Sequence, residues 1–225
     1  SDSQLYNQLY KFDWGCVLSP DQSFAIDSVV NGEIFKHSLY ASQRCKDAIV
    51  DSLVKNYGKR PSVNKIDPDI HFHLHINHKK CSISLDTSGS SLHHRGYRTL
   101  TNISPINEVL AAGIIYLSNW DKKTDFIDPM CGSGTFLIEA AMMASNIPAN
   151  INRSKFNFQK WNDWDKKLFK KIRDSQLKRV ISPYGKIYGF DKAPSAVEKS
   201  KINIKNASLG DFIKVERANV LNSKK

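Results

Sequence analysis

The most constraining stretch is Thr124-Asp125-Phe126-Ile127-Asp128-Pro129-Met130-Cys131-Gly132-Ser133-Gly134-Thr135-Phe136-Leu137-Ile138-Glu139-Ala140-Ala141. It reads as a short strand, a glycine loop and a buried helix. Phe126 and Ile127 favour a strand, Asp128 and Pro129 end it, and the two glycines permit backbone angles and a close ligand approach that side chains would forbid. The residues after Thr135 are almost wholly apolar, so the helix packs against a sheet. A helix opening directly after a glycine turn offers free backbone N–H groups and the positive end of its dipole, which suits a phosphate or a carboxylate. A dinucleotide fingerprint would need a third glycine where Leu137 stands, and a phosphate-cradling P-loop would need Gly-Lys-Ser/Thr. What remains is an acid at a strand end followed by Cys-Gly-Ser-Gly-Thr.

This run resembles motif I of class I S-adenosylmethionine-dependent methyltransferases, in the Asp-Pro-x-Cys-Gly-Ser-Gly-Thr form of enzymes that methylate exocyclic amino groups in nucleic acids. The resemblance implies that Asp128, Met130, Cys131, Gly132, Ser133, Gly134 and Thr135 lie under the methionine part of the cofactor. Asp128 would hold its ammonium, directly or through water. An ordinary tight turn in a Rossmann-like sheet is the other reading. A second strand, Lys186-Ile187-Tyr188-Gly189-Phe190-Asp191, ends in the acid that in this fold accepts hydrogen bonds from both ribose hydroxyls of an adenosine-bearing cofactor. After a third strand, Phe212 to Arg217, the family often has an acid to bond the adenine amino group. This chain offers Asn219, whose amide oxygen can still accept that bond.

The net charge of +11 is unevenly placed: residues 1–120 hold 12 Lys and Arg against 11 Asp and Glu, and residues 121–225 hold 21 against 11. That asymmetry suits an anionic partner such as nucleic acid, or a merely soluble basic surface, and charge alone does not choose between the two. The four cysteines, Cys16, Cys45, Cys81 and Cys131, form no C-x-x-C pair, so neither a zinc knuckle nor a disulfide framework is indicated. No apolar run is long enough to span a bilayer and no signal segment opens the chain, which points to a cytoplasmic protein.

From the amino end, a helical pattern through Leu5, Leu9 and Phe12 precedes a strand over Ser23 to Val30 and a helix over His37 to Tyr57 that Gly58 stops. Ile70 to Ile76 and Cys81 to Leu85 alternate strictly and predict a hairpin with Phe72, Leu74, Ile76, Ile83 and Leu85 on the covered face. His71, His73 and His75 then line the other face. No cysteine or carboxylate in that run completes a coordination shell, so solvent-facing histidines and no metal are expected.

Asp86-Thr87-Ser88-Gly89-Ser90-Ser91-Leu92-His93-His94-Arg95-Gly96-Tyr97-Arg98 follows. With the helix before it, this resembles the THUMP-bearing bacterial 23S ribosomal RNA guanine-N2 methyltransferases, and the correspondence runs through essentially the whole chain. It implies an α/β protein: a THUMP-like α+β module over residues 1–103, incomplete at its start, then the first half of a Rossmann-like methyltransferase domain over 104–225. His93, Arg95, Tyr97 and Arg98 become candidates for contacts to RNA phosphates or for pinning the module internally. Ser104 is expected as a helix N-cap with Pro105 at the first helical position. A helical insertion over about 146–183 carries Phe156, Phe158, Trp161 and Trp164, then an amphipathic helix. Its stripe of Trp164, Leu168, Ile172 and Val180 is expected to pack in a core. Its lysine face, with Lys167, Lys170 and Lys171, is read as an RNA-backbone contact or a plain solvated face.

The resembled family carries an Asn-Pro-Pro-Tyr motif after its fourth strand to hold the target amino group and stack on the flipped base. No Asn-Pro-Pro occurs here, and the chain stops after its third strand, so a fragment that does not catalyse alone is expected, with self-association through the cut sheet. The implied reaction is methyl transfer from S-adenosylmethionine to the exocyclic N2 of a guanine in 23S ribosomal RNA. The alternatives are a tRNA guanine-N2 or DNA adenine-N6 methyltransferase, or an inactive RNA-binding protein.

Overall fold

The computed structural model describes residues 1–101 and 104–220 and divides the chain into two units, 1–89 with 155–166 and 90–154 with 167–225. The sequence-drawn boundary at 103/104 thus moves to 89/90, and a piece of the insertion joins the first unit. Asn102 and Ile103, in the expected link, and the last residues, 221–225, lie outside the described residues. None of the helices among the described residues is long and apolar enough to cross a membrane.

In the first unit, helix α1 (Asp2–Lys11) opens on a capping box in which Ser1 and Gln4 satisfy each other's backbone N–H groups. Strand β1 (Ser23–Asn31) feeds helix α2 (Ser38–Tyr57), which ends at Gly58 with φ +68°, a left-handed cap that glycine adopts without penalty. Strands β2 (Ser62–Val63), β3 (Ile70–Asn77) and β4 (Lys80–Leu85) complete a sheet of order β2-β1-β3-β4. β1 runs parallel to β2 and β3, and β3–β4 is the antiparallel hairpin that the alternation predicted. The core gathers Trp14, Leu18, Phe24, Cys45, Ile49, Leu53, Phe72 and Leu74, with Trp161 of the returning segment packed against it.

In the second unit, helix α3 (Glu108–Leu117) starts later than expected. Asn107, not Ser104, is its cap, its side chain accepting the N–H groups of Val109 and Leu110. Strand β5 (Phe126–Asp128) leads through the glycine loop into helix α4 (Thr135–Ala144), then helix α5 (Lys166–Leu177), strand β6 (Ile187–Asp191), helix α6 (Pro194–Asn206) and strand β7 (Ile213–Arg217). The three strands form an all-parallel sheet of order β5-β6-β7. Leu137, Ile138, Ile187, Val197, Ile204, Leu209, Ile213 and Val215 fill the space between sheet and helices. One expectation is overturned: the α5 stripe is not core. No residue of α5 is buried, and Leu168 and Ile172 are 53% and 51% exposed. A helix so rich in lysine loses less by lying against solvent than by burying charged neighbours on both flanks of a narrow stripe.

Candidate functional site

Parallel register puts Asp128 opposite Gly189 and Asp191 opposite Arg217, so Asp128, Asp191 and Asn219 stand at or just beyond the carboxyl ends of three adjacent strands. That edge is where open α/β sheets hold ligands. Asp191 also organises the loop. Its Oδ2 accepts the Gly132 N–H at 3.0 Å, its Oδ1 accepts the Ala193 N–H at 2.9 Å, and its carbonyl accepts the Ala218 N–H at 3.1 Å. The Phe190 carbonyl accepts the Cys131 N–H at 2.9 Å. The second acid therefore clamps the glycine loop while each oxygen keeps a lone pair for a further donor.

The glycines are required by shape. Gly132 and Gly134 have φ of +54° and +84°, and a Cβ on Gly134 would meet the Ser200 Oγ at 2.4 Å. Gly189 lets β6 pass beneath the loop, because a Cβ there would meet Leu137 Cδ1 at 2.3 Å and Cys131 Sγ at 3.2 Å. Gly134 is the N-cap of α4, with no side chain to cap the first turn, so the free N–H groups of that turn face whatever binds above the sheet. Met130 stands 74% exposed at the loop's outer rim, while Cys131, Ser133 and Thr135 are buried beneath it.

Electrostatics distinguishes the acids. Burial, and then the neighbouring Asp191 charge, holds the Asp128 carboxyl above its ordinary pKa, only partly offset by the Met130 N–H that Asp128 accepts at 3.1 Å. A half-buried carboxylate short of donors is poised for a cation. Cys131 is no nucleophile: burial and the Asp128 charge push its thiol up to about 12, so it is a small packed side chain.

The His93 to Arg98 segment turns inward. The Tyr97 hydroxyl donates to Glu139 at 3.0 Å inside the core, and burial with that carboxylate drives the phenol far above its usual pKa. Arg95 lies 3.5 Å from Glu139, with side chains only 9% and 4% exposed. Arg98 donates to the Ile106 carbonyl at 2.7 Å and to Thr135 Oγ1 at 2.8 Å, reaching the first residue of α4. These three residues pin the segment to the site's framework, and the RNA contact entertained for them from sequence is sterically closed to Tyr97. His93 stays half-exposed, its Nδ1 2.8 Å from Ser91 Oγ. Lys167, Lys170 and Lys171 are exposed on α5 and, among the described residues, enter no ion pair.

Asn203 was missed from sequence. Fully buried on α6, its Nδ2 donates to the Ser133 and Leu100 carbonyls at 3.0 and 2.8 Å, and its Oδ1 accepts the Thr99 and Leu100 N–H groups. The available signal was a lone amide beside Ile204 on the helix face that carries Val197 and Ser200.

A family model described as a THUMP domain matches residues 1–86, and one described as an RMKL-like methyltransferase domain matches residues 95–224. Ribosomal RNA large subunit methyltransferase K/L of Desulfotalea psychrophila is 38% identical over 225 residues, covering 96% of this chain and 31% of that protein. The chain therefore spans about a third of the length of the curated relatives it matches. Among solved structures, SMU.472, assigned as a methyltransferase and crystallised with SAH, superposes with a TM-score of 0.86 at 29% identity, over 100% of this chain and 60% of that one. A protein from Clostridium difficile 630 assigned as a methylase gives 0.90 at 31% identity, over 100% and 59%.

Proposed function

This chain belongs to the RMKL-like methyltransferase domain family, and on that premise we propose that its second unit binds S-adenosylmethionine at the carboxyl ends of β5, β6 and β7, within an enzyme that methylates ribosomal RNA. The observation that carries the reading is the bracket of Asp128 and Asp191 around the glycine loop, closed by the Asp191–Gly132 bond. Asp128, desolvated and short of donors, takes the cofactor ammonium. Asp191 takes the ribose hydroxyls on its remaining lone pairs, Asn219 the adenine amino group, and the loop from Met130 to Thr135 the methionine chain.

The cofactor supplies an electrophilic methyl on a sulfonium. A guanine N2 is a weak nucleophile because its lone pair is delocalised into the ring, so the protein's task is alignment in a dry pocket. We assign the target to a guanine N2 of 23S ribosomal RNA, in the cytoplasm, and the grip on the flipped base to sequence outside these 225 residues, since no Asn-Pro-Pro lies within them. The THUMP-like unit, His93 and the lysine face of α5 hold RNA, the lysines through phosphate charge. Calorimetry of the 225-residue chain with S-adenosylmethionine tests the reading. One-site binding that D128N weakens ten-fold or more supports it, and no binding contradicts it.

A further inference from the structure

We infer that Asp27, His71 and His73, on the open face of the first unit's sheet, form a binding site for a divalent transition cation of borderline softness such as Zn2+. From the sequence, His71 and His73 lacked a carboxylate to complete a shell. The parallel pairing of β1 with β3 supplies one, since Asp27 lies directly opposite His73 and its Oδ2 is 2.9 Å from His71 Nε2. The two imidazoles stand side by side with ring centroids 4.9 Å apart. One ligand atom from each of the three residues falls within 4.8 Å of the other two. Ligands bonded to zinc at about 2.1 Å in tetrahedral geometry stand roughly 3.4 Å apart, so side-chain rotation must close the widest gap by up to about 1.4 Å and open the Asp27–His71 pair by about 0.5 Å. The backbone positions are fixed by the strand ladder, and Asp27 and His73 are exposed and free to rotate.

A second carboxylate stands behind the first histidine. Asp86 Oδ2 lies 3.7 Å from His71 Nδ1. Asp86 is itself held in place: its Oδ1 accepts the Ser88 and Gly89 N–H groups at 2.8 and 2.9 Å, and its Oδ2 accepts from Asn157 at 3.1 Å. A carboxylate on the far side of a ligating histidine orients its ring, so Nε2 is left to face Asp27 and the metal. Two imidazoles and one carboxylate suit zinc or its neighbours, whereas calcium and magnesium need more oxygens. Three protein ligands leave a fourth position for water. Bound there, the ion ties β1 to β3 across the face opposite the helices.

The test is titration of the metal-stripped chain with Zn2+, in a background carrying C16S and C81S so that the two exposed thiols cannot compete. One equivalent is expected to bind, shifting the imidazole nitrogen resonances of His71 and His73 but not those of His93 and His94. Affinity falls ten-fold or more in D27N and in H73Q, both at exposed positions where the fold survives, and stays unchanged in H75Q. Absence of a one-equivalent site, affinity untouched by D27N and H73Q, or shifts confined to other histidines would overturn the proposal.

Discussion

Asp128 carries opposing demands that two measurements separate. Its pKa is raised in the folded chain, so the protonated acid is the better tolerated form. The stability this confers is full below the ordinary carboxylate value of 3.8 and is lost as pH rises through Asp128's own higher pKa. At neutral pH the ionised side chain therefore opposes folding of the unliganded protein. D128N is expected to raise the melting temperature of the free chain at pH 7, while weakening S-adenosylmethionine by about 1.5–3 kcal/mol through the lost charge-assisted bond. Wild-type affinity should climb with pH across the same titration and the variant's should not, and a melting temperature that falls in D128N would sink the idea. Burial raises the Glu139 pKa as well, yet here removal of the side chain is the costly change. Glu139 receives Tyr97 and sits beside Arg95 in the core, so E139A leaves a buried cation and a phenol without their partner. A loss of roughly 3–5 kcal/mol is expected in chemical denaturation, with E139Q milder. These roles were half legible. The charged residues of the His93 to Arg98 segment could be named from sequence, but whether they face phosphate or a buried glutamate depends on which helix they meet, and no local pattern encodes that.

At the level of elements, the sequence resolved every strand of both sheets except the two-residue β2, because strict alternation and the acid-glycine punctuation are short-range signals. It misplaced the start of α3, where Asn107 wins the cap over Ser104, and it buried a stripe of α5 that stays at the surface. Periodicity shows that a helix has an apolar side, not that anything lies against it. Gly134 offers a sharp test of the loop. G134A must place a Cβ at a φ of +84° and against Ser200, so it is expected to cost at least about 1–2 kcal/mol of stability and to abolish cofactor binding, with the paired G134A and S200G change restoring only the packing part. For α5, charge reversal at Lys167, Lys170 and Lys171 together leaves folding and cofactor affinity unchanged. It should weaken binding to a ribosomal RNA fragment and flatten its salt dependence, as read from filter binding at two salt concentrations. Unaltered RNA affinity would make that face plain solvated surface. The outer edge of β5 belongs to the same scale: among the described residues β5 pairs only with β6, and Ile127 is 59% exposed. Light scattering is expected to show concentration-dependent self-association that I127K suppresses.

The whole molecule comprises a unit built on a mixed sheet and one built on a parallel sheet, and only the second holds the bracketed loop. The chain spans about a third of its relatives' length, so the proposed division of labour is that these residues bind the methyl donor and RNA while turnover needs a longer polypeptide. A chain extended to the relatives' length should methylate unmodified 23S ribosomal RNA where the 225 residues alone do not. The most direct measurement is of the donor site itself: calorimetric titration of S-adenosylmethionine into the 225-residue chain, alongside D191A. A single site is expected in the wild type. No measurable binding is expected in D191A, which loses both the proposed ribose contact and the clamp on Gly132. A chain that folds yet binds no donor, or that binds it equally well without the Asp191 carboxylate, would contradict the proposed donor site.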